Sequence, residues 1–124
     1  MRRSILLLAP VLVSCAQSVA PSDTLIRREL ASRVAGTPQT CVPTVSSGTL
    51  TAIDSSTLAY HSGSTIYLNH PAAPCPAIAP LSTLIVDAAP GHYCRGDRVR
   101  GVEYGGGIPG PVCILGDWVA YRKP

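Results

Sequence analysis

Five cysteines, Cys15, Cys41, Cys75, Cys94 and Cys113, are the residues of this 124-residue chain best suited to covalent chemistry. A thiol can be acylated, oxidised to a disulfide or used as a metal ligand, and spacing decides among these. Cys15 stands directly after an apolar run, Ile5 to Val13, interrupted by Pro10 and preceded by Arg2 and Arg3. The other four are spread over the rest of the chain. An odd count in an exported protein requires a separate fate for one thiol. Setting Cys15 apart leaves an even set, and in an oxidising compartment two disulfides are the natural outcome. Three connectivities are possible. The preferred pairs are Cys75–Cys94, a local staple, and Cys41–Cys113, joining the ends of the folded region. Loops of about 20 and about 70 residues would contribute about 3–4.5 kcal/mol each in the chain-entropy model.

The leader explains the fifth sulfur. About nine apolar residues are too few for a bilayer-spanning helix, which takes about 20, but they suit the apolar core of a secretory signal. Leu12-Val13-Ser14-Cys15 resembles a bacterial lipobox. That resemblance implies a diacylglyceryl thioether on Cys15 and cleavage just before it. Residues 1–14 then form the signal peptide, residues 15–21 a lipid-anchored tether, and residues 22–124 a single small domain. Cutting after Ser18-Val19-Ala20 is the rival reading, but it would leave Pro21 at the mature N-terminus. Ala16 after the cysteine, in place of Asp, suggests the outer membrane. The expected location is the periplasmic side of a bacterial cell envelope, with the membrane as the first partner.

Other reactive groups give weaker signals. His61, His70 and His92 are not arranged in paired units such as CxxC or HxxxH, so no metal is expected. His92 and Cys94 would share one strand face, but an oxidised cysteine cannot act as a thiolate ligand. No GxSxG elbow is present. "YGGGIPGP" (Tyr104 to Pro111) lacks the Lys and Ser/Thr of a phosphate loop. Asp54, Asp87, Asp97, Glu103 and Asp117 are dispersed. No catalytic residue and no cofactor is therefore expected, and the protein reads as non-enzymatic. "RGD" (Arg95 to Asp97) reads as a turn, with Gly96 giving backbone freedom and Asp97 capping it, in preference to an adhesion motif.

Charge places a further candidate site. Two of the ten basic residues lie in the leader and none of the seven acidic ones does, which leaves one net positive charge. Nucleic-acid binding, which needs a concentrated basic face, is not expected. Arg95, Arg98, Arg100, Arg122 and Lys123 cluster in the last third of the chain. If the final strand pairs beside the Arg98–Arg100 strand, these residues form one face for anionic lipid headgroups or an acidic envelope protein. A solvated face balanced by Asp97, Glu103 and Asp117 is the plainer outcome.

The elements that must position these residues follow from periodicity and punctuation. Ser22 suits an N-cap, and Leu25, Ile26, Leu30 and Val34 recur at a helical period. Gly36 suits the C′ position, and Pro38 stands where a helix cannot continue. This helix is expected to lay its apolar stripe on a sheet. Beyond Cys41 the period falls to two. Thr57–Tyr60 and Thr65–Asn69 flank "HSGS" as a hairpin, with Ile66 and Leu68 facing one side and Tyr67 the other. Four prolines exclude His70–Pro80 from a central strand, so that segment is a covering loop. Thr83–Ala88 is a continuous apolar run, fit for a buried strand. In Cys94–Tyr104, Val102 and Tyr104 share one alternation phase and Val99 takes the other. Val112–Tyr121 is a strand pair or one strand bent at Gly116. The expected fold is mainly β (α+β): one helix on a small, partly barrel-like antiparallel sheet of about five to seven short strands, stapled by two disulfides.

With these residues in view, the C-terminal half shows a resemblance. "CRGDRVRG" (Cys94 to Gly101) and "CILGDWVAYRKP" (Cys113 to Pro124) are similar to elements of a family of small alphaproteobacterial lipoproteins of unknown function. A lipobox, an "AG…C" segment (Ala35-Gly36 to Cys41) and a "YLN" strand (Tyr67 to Asn69) extend the resemblance over most of the mature chain. Val119-Ala120 stands where that family would have a proline. The resemblance implies compartment and disulfides and assigns no activity. The leading functional expectation is a lipid-anchored envelope protein with a structural or binding role. The alternatives are a periplasmic inhibitor of an envelope enzyme such as lysozyme, inserting the "YGGGIPGP" or "HSGS" loop, and an enzyme or metal-binding protein.

Overall fold

The computed structural model describes residues 21–103 and 105–124, with the side chains of residues 21–23 not described. The leader, Cys15 and Tyr104 lie outside the described residues, as do the expectations placed on them. The chain forms α1 (Pro21–Ala31), β1 (Val34–Ala35), β2 (Cys41–Pro43), β3 (Thr49–Asp54), β4 (Thr57–Ser62), β5 (Thr65–Asn69), β6 (Thr83–Asp87), β7 (His92–Cys94), β8 (Arg98–Val102), β9 (Cys113–Ile114) and β10 (Trp118–Arg122). The fold is mainly β, with one helix, antiparallel sheets and two disulfides, as the sequence leads one to expect. The strands divide among three sheets: five strands in the order β1-β10-β5-β4-β3, the ribbon β2-β7, and three strands in the order β6-β8-β9.

The five-stranded sheet is buried on both faces. In β5, Ile66 and Leu68 face α1, where Ile26, Ile53, Ala59 and partly buried Leu30 complete a small core. On the other face, Leu58, Tyr60, Tyr67, Trp118 and Ala120 meet Val42, Cys75, Ile78, Val99 and Leu115 from the ribbon, the three-stranded sheet and the loops between. Tyr60, Tyr93 and Trp118 are the aromatic heart of this larger core: Tyr93 stacks on Trp118 with centroids 6.4 Å apart, and Tyr60 meets Tyr93 edge-on at 5.5 Å. Such tilted and stacked pairs add to simple area burial.

Several local expectations hold. β4 and β5 form a hairpin closing at Ser62↔Thr65, with Gly63 at φ 58° in the left-handed turn. Residues 70–80 cover the core without joining a sheet, and Cys75 donates its backbone N–H to the Ser55 carbonyl at 2.7 Å.

Other expectations are corrected. Among the described residues α1 already runs from Pro21, so Ser22 lies inside the helix and not at its N-cap. It ends at Ala31, because Val34 and Ala35 are captured by the edge of β10, opposite Arg122 and Tyr121. Gly36 continues along that edge, donating to the Ala120 carbonyl at 2.7 Å, and does not act as the helix C′ residue. The apolar stripe therefore divides: Ile26 and Leu30 face the sheet, while Leu25 and Val34 are 62% and 60% exposed. β6 is an edge strand, with Leu84 and Val86 inward and Ile85 outward. β9 and β10 belong to different sheets, joined by a crossing at Leu115–Asp117.

Candidate functional site

The structure pairs Cys41 with Cys94 and Cys75 with Cys113, which overturns the preferred pairs Cys75–Cys94 and Cys41–Cys113. Strand register is the reason. β2 runs antiparallel to β7 with Cys41 directly opposite Cys94, and their Cα atoms are 4.0 Å apart. Cys75, on the covering loop, lies over the start of β9 with its Cα 6.0 Å from that of Cys113.

The basic residues do not form one face. β10 pairs with β1 and β5 and not with β8, so Arg122, and Lys123 just beyond it, are carried by a different sheet from Arg98 and Arg100. Arg95 Nη1 lies 3.3 Å from Asp117, and Arg98 and Arg100 each lie 3.7 Å from the same Asp87 oxygen. The "RGD" segment is a turn: Gly96 adopts φ 92°, and Asp97 accepts the Cys94 N–H at 2.7 Å. Leu115 donates to the Asp97 carbonyl and accepts from Gly96, which ties this turn to the chain after β9.

The three histidines are separated. His61 Nε2 lies 3.6 Å from Glu29, His70 Nδ1 is 3.1 Å from the Ser56 carbonyl oxygen, and His92 stands opposite Pro43 in the ribbon. Among the described residues no group of three His, Cys, Asp or Glu side chains is placed to hold a metal ion.

A site that the residue types do not announce lies at one end of the fold. A cavity of about 310 Å³ opens between α1, edge strand β3 and the loop before β6, walled by Leu25, Ile26, Ile53 and Leu81 with Glu29 and His61 among its lining residues. Pro80, Leu81 and Ser82 also line a smaller cavity shared with Ala77 and Glu103. Leu81 is 84% exposed and holds φ 70°, the left-handed region that a leucine rarely enters. From Glu103 the chain leaves into a loop in which Gly105, Gly106 and Gly107 all have positive φ and no close neighbours. Ile108 follows and is 94% exposed. The loop closes where Gly110 donates to the Gly101 carbonyl at 2.9 Å. Its glycine run was legible in the sequence as a protruding element; Leu81 was not, because "PLST" gives no sign of an outward-facing leucine.

No protein-family model matches the chain, and comparison with curated proteins and with solved structures gives no match either.

Proposed function

We propose that this is a lipid-anchored protein of the bacterial cell envelope, held on the periplasmic side by a diacylglyceryl thioether at Cys15, with the outer membrane as its site. Its domain is a non-enzymatic binding module. The observation that carries this reading is the fate of the sulfurs. Four of the five cysteines pair with one another inside the domain, which accounts for every cysteine except the one that follows Leu12-Val13-Ser14. Disulfides of this kind persist outside the cytosol. The resemblance to alphaproteobacterial lipoproteins agrees with it. A doubly or triply acylated N-terminus anchors stably, whereas a single chain binds reversibly.

The binding surface we assign is the outer face of the β6-β8-β9 sheet. Ile85 and Ile114 are exposed there, and Arg98 and Arg100 share the single carboxylate of Asp87. Apolar contacts beside an excess guanidinium suit a protein partner with an acidic side chain next to an apolar one.

Two experiments test the reading. Labelled palmitate fed to producing cells should enter the wild type and not Cys15→Ala; unchanged incorporation in the variant would overturn the anchor. Cross-linking in intact envelopes should give a partner adduct that Ile85→Asp combined with Arg100→Glu abolishes. An adduct indifferent to both substitutions would move the binding surface elsewhere.

A further inference from the structure

The geometry points to a second contact with the membrane, made by protein side chains: the end of the fold bearing Leu25, Leu81 and Ile108 docks on the bilayer surface. This inference rests on the anchor at Cys15. Six Cα-to-Cα steps separate Cys15 from Pro21, so the start of α1 stays within about 20 Å of the lipid even when that segment is fully extended. Leu25 lies about 6 Å further along the helix. A bilayer is therefore always within reach of this end of the domain.

What this end offers is apolar and unpaid for within the fold. Leu25 and Leu81 wall one cavity, and Leu81 also lines the adjoining one, whose Glu103 begins the loop that carries Ile108. They are 62%, 84% and 94% exposed. A leucine held in the left-handed region is strained, and such strain persists only where something in the surroundings requires it. Leu25 and Leu81, exposed around the same cavity, form an apolar patch suited to an interaction surface. Arg27 and Arg28, exposed on the outer side of α1, add positive charge beside the tether, where anionic headgroups would meet it. The sheet assigned to a protein partner starts from this end and leads away: Thr83↔Val102 is the pair next to the cavities, and Asp87↔Arg98 is at the far end. Docking here would thus present that sheet to the periplasm.

The test uses the full acylated chain reconstituted in vesicles of phosphatidylethanolamine and phosphatidylglycerol that contain a dibrominated phosphatidylcholine. Tryptophan is introduced singly by Leu81→Trp, Ile108→Trp or, as a control, Val34→Trp. Val34 is on β1, at the opposite edge of the five-stranded sheet from β3, and Trp118 is fully buried and common to all three. The exposure of positions 81 and 108 keeps the substitutions clear of the core. The expected result is a blue shift and strong bromine quenching for Leu81→Trp and Ile108→Trp, with neither for Val34→Trp. Protein that floats with the vesicles yet shows no quenching at positions 81 and 108 overturns the docking and leaves the anchor standing. Equal quenching at position 34 also overturns it. A blue shift without quenching means that a protein cleft or a second copy covers this face, and the lipid contact falls. Loss of flotation together with absent palmitate brings down the anchor and the docking with it.

Discussion

Asn69 and Gly116 exchange hydrogen bonds across the fold: the Asn69 amide donates to the Gly116 carbonyl at 2.7 Å and accepts the Gly116 N–H at 3.0 Å. Asn69 is fully buried, and its amide also reaches the Asp117 carbonyl at 3.3 Å. The pair fixes the crossing at which the chain leaves the three-stranded sheet for β10. It satisfies backbone groups that have no strand partner there. Asn69→Ala should destabilise the domain by about 3 kcal/mol, because buried donors and acceptors left unpaired cost about 1–3 kcal/mol each. Urea unfolding of wild type and variant measures it; a loss below about 1 kcal/mol would mean that water replaces the amide.

Each disulfide closes a long loop, with sequence separations of 53 for Cys41–Cys94 and 38 for Cys75–Cys113. Removing either pair by double alanine substitution should cost about 4 kcal/mol in the chain-entropy model. Non-reducing peptide mapping checks the connectivity directly. Fragments linking Cys75 to Cys94 would contradict the strand register of β2 and β7.

Gly101 and Gly106 separate packing from backbone freedom. A Cβ at Gly101 would come within 1.9 Å of the Ala77 carbonyl oxygen, whereas at Gly106, with φ 96°, it would meet nothing within 4 Å. Gly101→Ala should therefore cost about 3 kcal/mol through displacement of the covering loop, the upper end for overpacking. Gly106→Ala should cost about 1 kcal/mol through backbone strain alone. Equal losses in thermal unfolding would refute the distinction.

Alkali should weaken the fold through Tyr93. Burial, and secondarily the charge of neighbouring Tyr60, raises its phenol above the ordinary value of 10.0. The unfolded chain then releases this proton at a lower pH than the native one. Stability contributed by Tyr93 is intact below pH 10.0 and falls as pH rises through the interval up to the raised native value. In Tyr93→Phe that slope should be reduced; an unchanged slope would assign alkaline unfolding to other groups.

Local features of the fold were legible in the chain. The Gly63 turn, the proline-rich cover over the core and the alternation of Ile66, Tyr67 and Leu68 are each written in a few neighbouring residues. What depended on distant partners was not. Cys41 and Cys94 face each other only because β2 and β7 pair, and α1 stops early only because the β10 edge takes Val34 and Ala35. Arg122 leaves the arginine group for the same reason, since β10 lies in the larger sheet. Ile85 sits in an apolar run yet points outward, because β6 forms an edge with one covered face. The apolar end of the molecule was half legible: the glycine run marked the Ile108 loop, and nothing in the sequence marked Leu81.

Intact mass measurement of the mature protein, extracted in detergent and alkylated without reduction, tests the central claim most directly. The result expected is a chain beginning at Cys15, heavier by a diacylglyceryl group and any N-acyl chain, with no alkylated thiol. A chain that keeps its leader, carries no lipid or exposes alkylatable cysteines in the domain would contradict it.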